Sequence, residues 1–442
     1  MGTQAAKLKS ELKYPQSTAG KKHTPGAARL LFRKLGPGLV TGASDDDPSG
    51  IGTYSQVGAQ FGYGLLWTMV LSYPLMAAIQ EISARIGRVT GVGIAANLRK
   101  NYPKPLLYSV LFVVSVANIF NLGADIGAMG AAAKLVLPGN IGVFIVIFGV
   151  GSLAGVLLVP YSTYAKYLKW LTLSLFAYVG VVFFTHVSWP AVLKGTLLPR
   201  VELSKDYLTA LVAVLGTTIS PYLFFWQASQ EVEEVRANHG EKALRRDPSQ
   251  AQEQLARIRI DTYLGMAFSN VVAFFIILTA AATLHAHGIT EISTSAQAAK
   301  ALEPLAGRFA FLLFVCGIVG TGLLAVPVLA ASACYGIGEA CRWKTSLERK
   351  PQEAIRFYLA ITVATLIGLS LNFMLIDPVK ALFWAAILNG LVAAPLMAVI
   401  MVMADSRKVM GKLVIPPYLN AMGWLATAVM FCASIGVFFT WK

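Results

Sequence analysis

Eleven apolar stretches constrain this 442-residue chain more than anything else in it. They are the opening segment Leu35–Ala59, then Leu65–Ile79, Leu106–Phe120, Gly142–Pro160, Trp170–Phe184, Leu208–Ile219, Tyr263–Leu284, Phe309–Ala333, Phe357–Leu371, Ala381–Met403 and Ala421–Phe439. Several approach or exceed the ~20 residues a helix needs to cross the hydrocarbon of a bilayer. Lipid offers no water to backbone N–H and C=O groups, so such runs must become helices that satisfy their own hydrogen bonds. Charged residues make up 13% and hydrophobic residues 56%, against roughly 25% charged in soluble domains. The expected class is an all-α polytopic membrane protein.

The net charge of +15 raises the question of nucleic acid. Its placement answers against it. With the N-terminus in the cytoplasm and eleven alternating spans, 29 of the 37 Lys and Arg fall in cytoplasmic segments. That is the positive-inside bias, and it puts the C-terminus outside the cytoplasm, in a plasma (inner) membrane protein. Residues 1–33 have no apolar core of signal-peptide type and read as a disordered basic cytoplasmic tail. Residues 34–442 read as one membrane domain without internal linkers. Cys316, Cys334, Cys341 and Cys432 show no CxxC spacing and are expected to be buried thiols. No nucleophile–base pair, Walker loop or redox motif supports an enzyme or a cofactor.

Two stretches conflict with an uninterrupted span. "LGPGLVTGASDDDPSGIGTYSQVGA" places Asp45, Asp46 and Asp47 beside Pro48, Ser49 and Gly50. "LVAVLGTTISPYLFFWQASQEVEEV" carries Gly216, Thr217, Thr218, Ser220 and Pro221 at its middle. Proline removes a helix donor and crowds the carbonyl four residues back. The interruptions fall in the first and sixth spans, equivalent places in two five-span halves. Paired interruptions of this kind point to an inverted-repeat transporter with a midplane site.

The residues at these breaks resemble those of the NRAMP family of divalent-metal transporters. The likeness runs on through "GYGLLWTMVLSYPLMAAIQEISARIGRVTG" and "RIDTYLGMAFSNVVAFFIILTAAATLHAHG". It implies a LeuT-type fold of 5+5 inverted repeats plus an eleventh span, with discontinuous first and sixth helices. The family's Asp-Pro-Gly-Asn reads here Asp47-Pro48-Ser49-Gly50, and its Met-Pro-His reads Ser220-Pro221-Tyr222. By that resemblance Asp47 is the metal-binding aspartate and Thr217 offers a backbone carbonyl. Gly50 and Ser220 stand where an asparagine and a methionine would ligate. Asn389, in the tenth span, lies near the family's glutamine and is either a ligand or an interhelical hydrogen-bonding residue. "NLGADIGAMGAAAKL" and "GTGLLAVPVLAASACYGIGEA" resemble the magnesium-transporting branch.

The candidate metal residues are therefore Asp47, Gly50, Thr217, Ser220 and Asn389, with Asp46, Ser49, Asp125, Tyr222 and Gln227 around them or along the ion path. A buried carboxylate is costly in hydrocarbon and is kept where it faces water or an ion. Asp45 is expected to cap a helix end or pair with a basic group, and Glu81 and Glu339 to pair with Arg85 and Arg342. Without a thioether the site holds hard oxygens, which suit Mg²⁺, Ca²⁺ and Mn²⁺. Mg²⁺ commonly keeps several waters, and the smaller Gly50 and Ser220 leave room for them. Tyr222 and Gln227 replace the family's histidines, and Ala128 its third-helix glutamate. The expectation is a monomeric importer of hydrated Mg²⁺, also passing Mn²⁺ and uncoupled from protons. Alternatives are a proton-coupled Mn²⁺/Fe²⁺ transporter, or a relative that has lost metal transport and carries another solute or senses.

Overall fold

The computed structural model describes residues 37–160, 163–164, 171–238, 241–374 and 377–440. The expected tail at 1–33, the basic pair Lys166 and Lys169, and the start of the fifth apolar stretch lie outside the described residues. The described regular elements are all helical. They run α1 (Pro37–Asp45), α2 (Pro48–Phe61), α3 (Trp67–Thr90), α4 (Ile94–Asn101), α5 (Lys104–Ala133), α6 (Ile141–Leu158), α7 (Phe176–Val181) and α8 (Trp189–Leu197). There follow α9 (Lys205–Thr218), α10 (Pro221–Ala237), α11 (Ala251–Thr283), α12 (Ala310–Ala340), α13 (Ile355–Leu371), α14 (Pro378–Asp405) and α15 (Pro417–Thr440), with short turns between some of them.

Among the described residues seven helical segments are long and apolar enough to cross a membrane, and Pro48–Leu65 with Trp67–Thr90, bent by 108°, makes an eighth. That bend separates the first two apolar stretches. Its pivot is Gly62, whose φ of 56° and ψ of −128° suit a residue without Cβ. At 1.5 Å per residue α2 spans about 21 Å, too little to cross the hydrocarbon without α1.

Both interruptions are tighter than the proline-rich stretches suggest. Pro48 and Pro221 do not end helices; each starts one, as the first residue of α2 and α10. There the missing N–H costs nothing and the fixed φ suits a helix. Non-helical backbone is confined to Asp46–Asp47 and Ile219–Ser220, so Ser49, Gly50, Thr217 and Thr218 are helical rather than unwound.

Close backbone approach sets the two half-helices against their neighbours. A Cβ on Gly42 of α1 would lie 2.2 Å from the carbonyl oxygen of Gly265 in α11. One on Gly216 of α9 would lie 2.3 Å from the Ala386 carbonyl and the Gly390 nitrogen of α14. Small residues are what let helices meet this closely in a bilayer. On α5, Asn118, Asn121 and Asp125 fall at i, i+3 and i+7, one face of a helix, and all three are buried.

The cysteines depart from expectation: Cys334 is buried, whereas Cys316, Cys341 and Cys432 are exposed on the protein's outer surface.

Candidate metal centre

Asp47 is the N-cap of α2. Its Oδ1 accepts from the Gly50 N–H and the Ser49 hydroxyl, both at 2.7 Å. Its Oδ2 accepts from the Asn121 amide at 2.9 Å. Ser49 N–H donates in turn to Asp125 Oδ1 at 3.1 Å, and Asn389 Nδ2 donates to Asn121 Oδ1 at 3.3 Å. A continuous polar chain thus runs Asp125–Ser49–Asp47–Asn121–Asn389 across α5, α2 and α14. Its members are at most 2% exposed.

The sixth-span break lies against the same place. The nearest atom to a Cβ on Gly50 would be Thr217 Cγ2, at 3.1 Å. Tyr222 OH donates to the Ser44 carbonyl at the end of α1, at 2.9 Å, and Thr41 donates to Gln227 Oε1. Three buried oxygens in this group have no hydrogen-bond partner: Asp125 Oδ2, Asn389 Oδ1 and Thr217 Oγ1. Oxygen acceptors left unpaired out of water are costly, and each is of a type that can ligate a hard cation.

Several expected roles change in detail. Gly50 presents its N–H to Asp47 rather than an oxygen outward. Ser220 donates to the Thr217 carbonyl at 2.7 Å, so hydroxyl and carbonyl satisfy each other across the break. Gln227 sits a full turn deeper, tying α10 to α1, with Nε2 unpartnered. Asp45 finds no basic partner: Ser269 of α11 donates to its Oδ2 at 2.7 Å and lies 3.0 Å from Asp46 Oδ1. Asp46 therefore reaches α11 through Oδ1, and its Oδ2 is buried without a hydrogen-bond partner. Glu81 pairs with Arg85 at 2.6 Å, but Glu339 does not reach Arg342. It accepts from Ala96 N–H in the first turn of α4 and from Ser229, each at 3.2 Å, a favourable place for a carboxylate.

Sequence reasoning passed over Asn121 and Ser269. The signal for Asn121 was its spacing to Asp125 in an otherwise apolar helix; Ser269 had none. No group of three or more His, Cys, Asp or Glu side chains able to hold a metal occurs among the described residues. The centre is made instead of carboxylate, amide, hydroxyl and carbonyl oxygens. A narrow cleft lined by Ile51, Ser55, Ala128, Phe314, Ile318 and Leu382 among others opens a turn beyond the break. It is mostly apolar and includes neither Asp47 nor Asn389, so it is not the centre.

Comparison with known proteins bears on this arrangement. The family model "Natural resistance-associated macrophage protein-like" (Nramp) matches residues 38–440. The chain belongs to the Nramp family.

Within that family it is similar to the divalent metal cation transporter MntH of Klebsiella pneumoniae, at 26% identity over 91% of this chain and 93% of the relative. MntH of Erwinia tasmaniensis is 29% identical over 68% of this chain and 70% of its own length. The Nramp chain also superposes on the Eremococcus coleocola manganese transporter in complex with an aromatic bis-isothiourea substituted compound, with TM-score 0.72 at 17% identity, covering 95% of this chain and 88% of that one. Mhp1, a nucleobase-cation-symport-1 transporter in a closed conformation, superposes with TM-score 0.55 at 13% identity, over 92% and 91% of the two chains. The fold is thus the LeuT-type arrangement expected, in a multi-pass membrane transporter and not an enzyme.

Proposed function

We propose that this Nramp protein imports divalent cations, Mg²⁺ foremost and Mn²⁺ beside it, driven by membrane potential without protons. The divalent class follows from the kinship with MntH. The observation that supports hard divalent cations is the donor set: Asp47, Asp125, Asn121, Asn389 and Thr217 offer oxygen and amide groups, with no thioether or imidazole among them. Hard oxygens suit Mg²⁺ and Mn²⁺ alike, so discrimination between the two is weak. His285 bonds the Ala59 carbonyl at the far end of α2, away from the centre, and Tyr222 and Gln227 occupy the family's histidine positions. Two charges falling through 100 mV gain about 4.6 kcal/mol, enough to drive entry without protons. The charge bias in the loops supports a cytoplasmic N-terminus and an extracytoplasmic C-terminus.

Proton coupling is the second reading, and Ser269 is what favours it. One hydroxyl proton cannot serve both Asp45 and Asp46, so the second contact calls for a proton on one carboxyl. Proteoliposomes loaded with a Mg²⁺ indicator and a pH dye, under an inside-negative potential, decide between the two. Metal entry without acidification supports the proposal; stoichiometric proton entry overturns the uncoupling. Mn²⁺ entry that excess Mg²⁺ fails to inhibit overturns the selectivity.

A further inference from the structure

Asp47 holds three donors, and they are not equivalent. The Gly50 N–H and the Ser49 hydroxyl come from the first turn of its own helix and meet Oδ1. The third, the Asn121 amide, comes from α5 and alone covers Oδ2. A carboxylate only accepts hydrogen bonds, so the NH₂ edge of Asn121 faces Asp47 whenever the latter is ionised. A cation and an NH₂ group cannot both occupy that oxygen.

We propose that Asn121 is a placeholder for the ion. Its NH₂ covers Asp47 Oδ2, the oxygen a cation would take, whenever the site holds no ion. On ion entry the amide turns over, and its Oδ1 becomes a further ligand. The neighbouring amide makes this reversal feasible. Asn389 now donates Nδ2 to Asn121 Oδ1 at 3.3 Å, while its own Oδ1 is buried without a partner. If both amides turn, Asn121 Nδ2 donates to Asn389 Oδ1 and the bond between them is kept. Ion binding in α2 is thereby reported to α14 through α5, without a charged group moving. The placeholder also keeps the ion-free carboxylate satisfied in a water-poor site, where an uncovered Oδ2 would be costly.

This inference rests on the reading of Asp47 as the ion's anchor, and the test separates the two. Uptake of Mg²⁺ and of Mn²⁺ by proteoliposomes is measured for the full chain and for Asn121→Leu, Asn121→Asp and Asp47→Asn. Asn121→Leu, similar in size, is expected to raise KM for both ions by roughly tenfold or more, the usual effect of losing a group that orients a metal ligand. Asn121→Asp supplies a permanent oxygen ligand and no placeholder, so KM is expected to fall while Vmax also falls. A merely structural role for Asn121 would lower Vmax in both variants with KM unchanged, and that result overturns the inference. Should Asn121→Leu fail to reach the membrane, Asn121→Asp decides by the same split. Inactive Asp47→Asn together with unaltered KM in the Asn121 variants overturns the placeholder alone. Full activity in Asp47→Asn overturns the centre and the placeholder with it.

Discussion

Asp47→Asn separates what Asp47 does for the fold from what it does for the ion. The isosteric amide keeps an oxygen for the Gly50 N–H and the Ser49 hydroxyl, at 2.7 Å each in the native chain, so the cap of α2 survives. Losing that cap outright, as in Asp47→Ala, would cost about 0.5–2 kcal/mol. The new NH₂ meets that of Asn121, and turning Asn121 over restores a donor–acceptor pair. The structural penalty is then on the order of one neutral hydrogen bond, about 1 kcal/mol. The loss to the ion is larger. A unit-charge pair 4 Å apart is worth about 4 kcal/mol at an effective dielectric of 20, hence about 8 kcal/mol with a divalent ion. If dehydration offsets two thirds of that, about 2.7 kcal/mol is left, roughly a hundredfold in affinity. The assay is thermal unfolding of the detergent-solubilised protein in EDTA and in Mg²⁺. The native chain at 100 times Kd gains about 2.7 kcal/mol of stability from the ion. The variant is expected to melt near the native temperature in EDTA and to gain only about 0.4 kcal/mol from the same Mg²⁺ concentration, which equals its weakened Kd. A native-sized Mg²⁺ shift in Asp47→Asn would refute the reasoning.

Other sites give independent checks. Gly42→Val places a side chain within the backbone of Gly265, so α1 and α11 must separate; a large drop in melting temperature is expected, while Gly151→Ala, with nothing within 4 Å, is expected to be silent. Arg257 bridges Glu231 at 2.8 Å and Glu234 at 2.9 Å. Arg257→Ala strands buried Glu231 and is expected to cost about 3–5 kcal/mol. Arg349→Ala, by contrast, breaks an exposed pair to Glu353 at 3.8 Å and is expected to cost under about 1 kcal/mol, both read by thermal melts. Tyr222→Phe deletes the bond from α10 to the Ser44 carbonyl; a loss of about 1 kcal/mol from the arrangement in which Ser49 is buried is expected to speed water-soluble thiol reagents reaching a cysteine introduced at Ser49 about fivefold, and an unchanged labelling rate would contradict that link.

The existence and place of both breaks were legible in the chain, because proline, glycine and a run of acid are local facts. Asp47-Pro48 and Ser220-Pro221 mark equivalent points whatever surrounds them. Even there the local rule misled by a residue or two: proline suggested an end, whereas in both cases it is a beginning, since a first helical position needs no N–H. Polarity alone also could not sort the three aspartates. Adjacent residues on a helix end point in different directions, and which direction meets α5 or α11 depends on packing. Asp45 and Asp46 turn to Ser269, more than 220 positions away in the chain, and Asp47 to Asn121, 74 away. Asn389 meets Asn121 across 268 positions. Helical periodicity states that Asn118, Asn121 and Asp125 share a face, but not which helix lies opposite. That was settled by glycines such as Gly42 and Gly216, whose missing side chains let backbones touch and so set the rotation of each helix about its axis. Donor types are written in the residues; which oxygens are left unpaired is a property of helices held at contact distance.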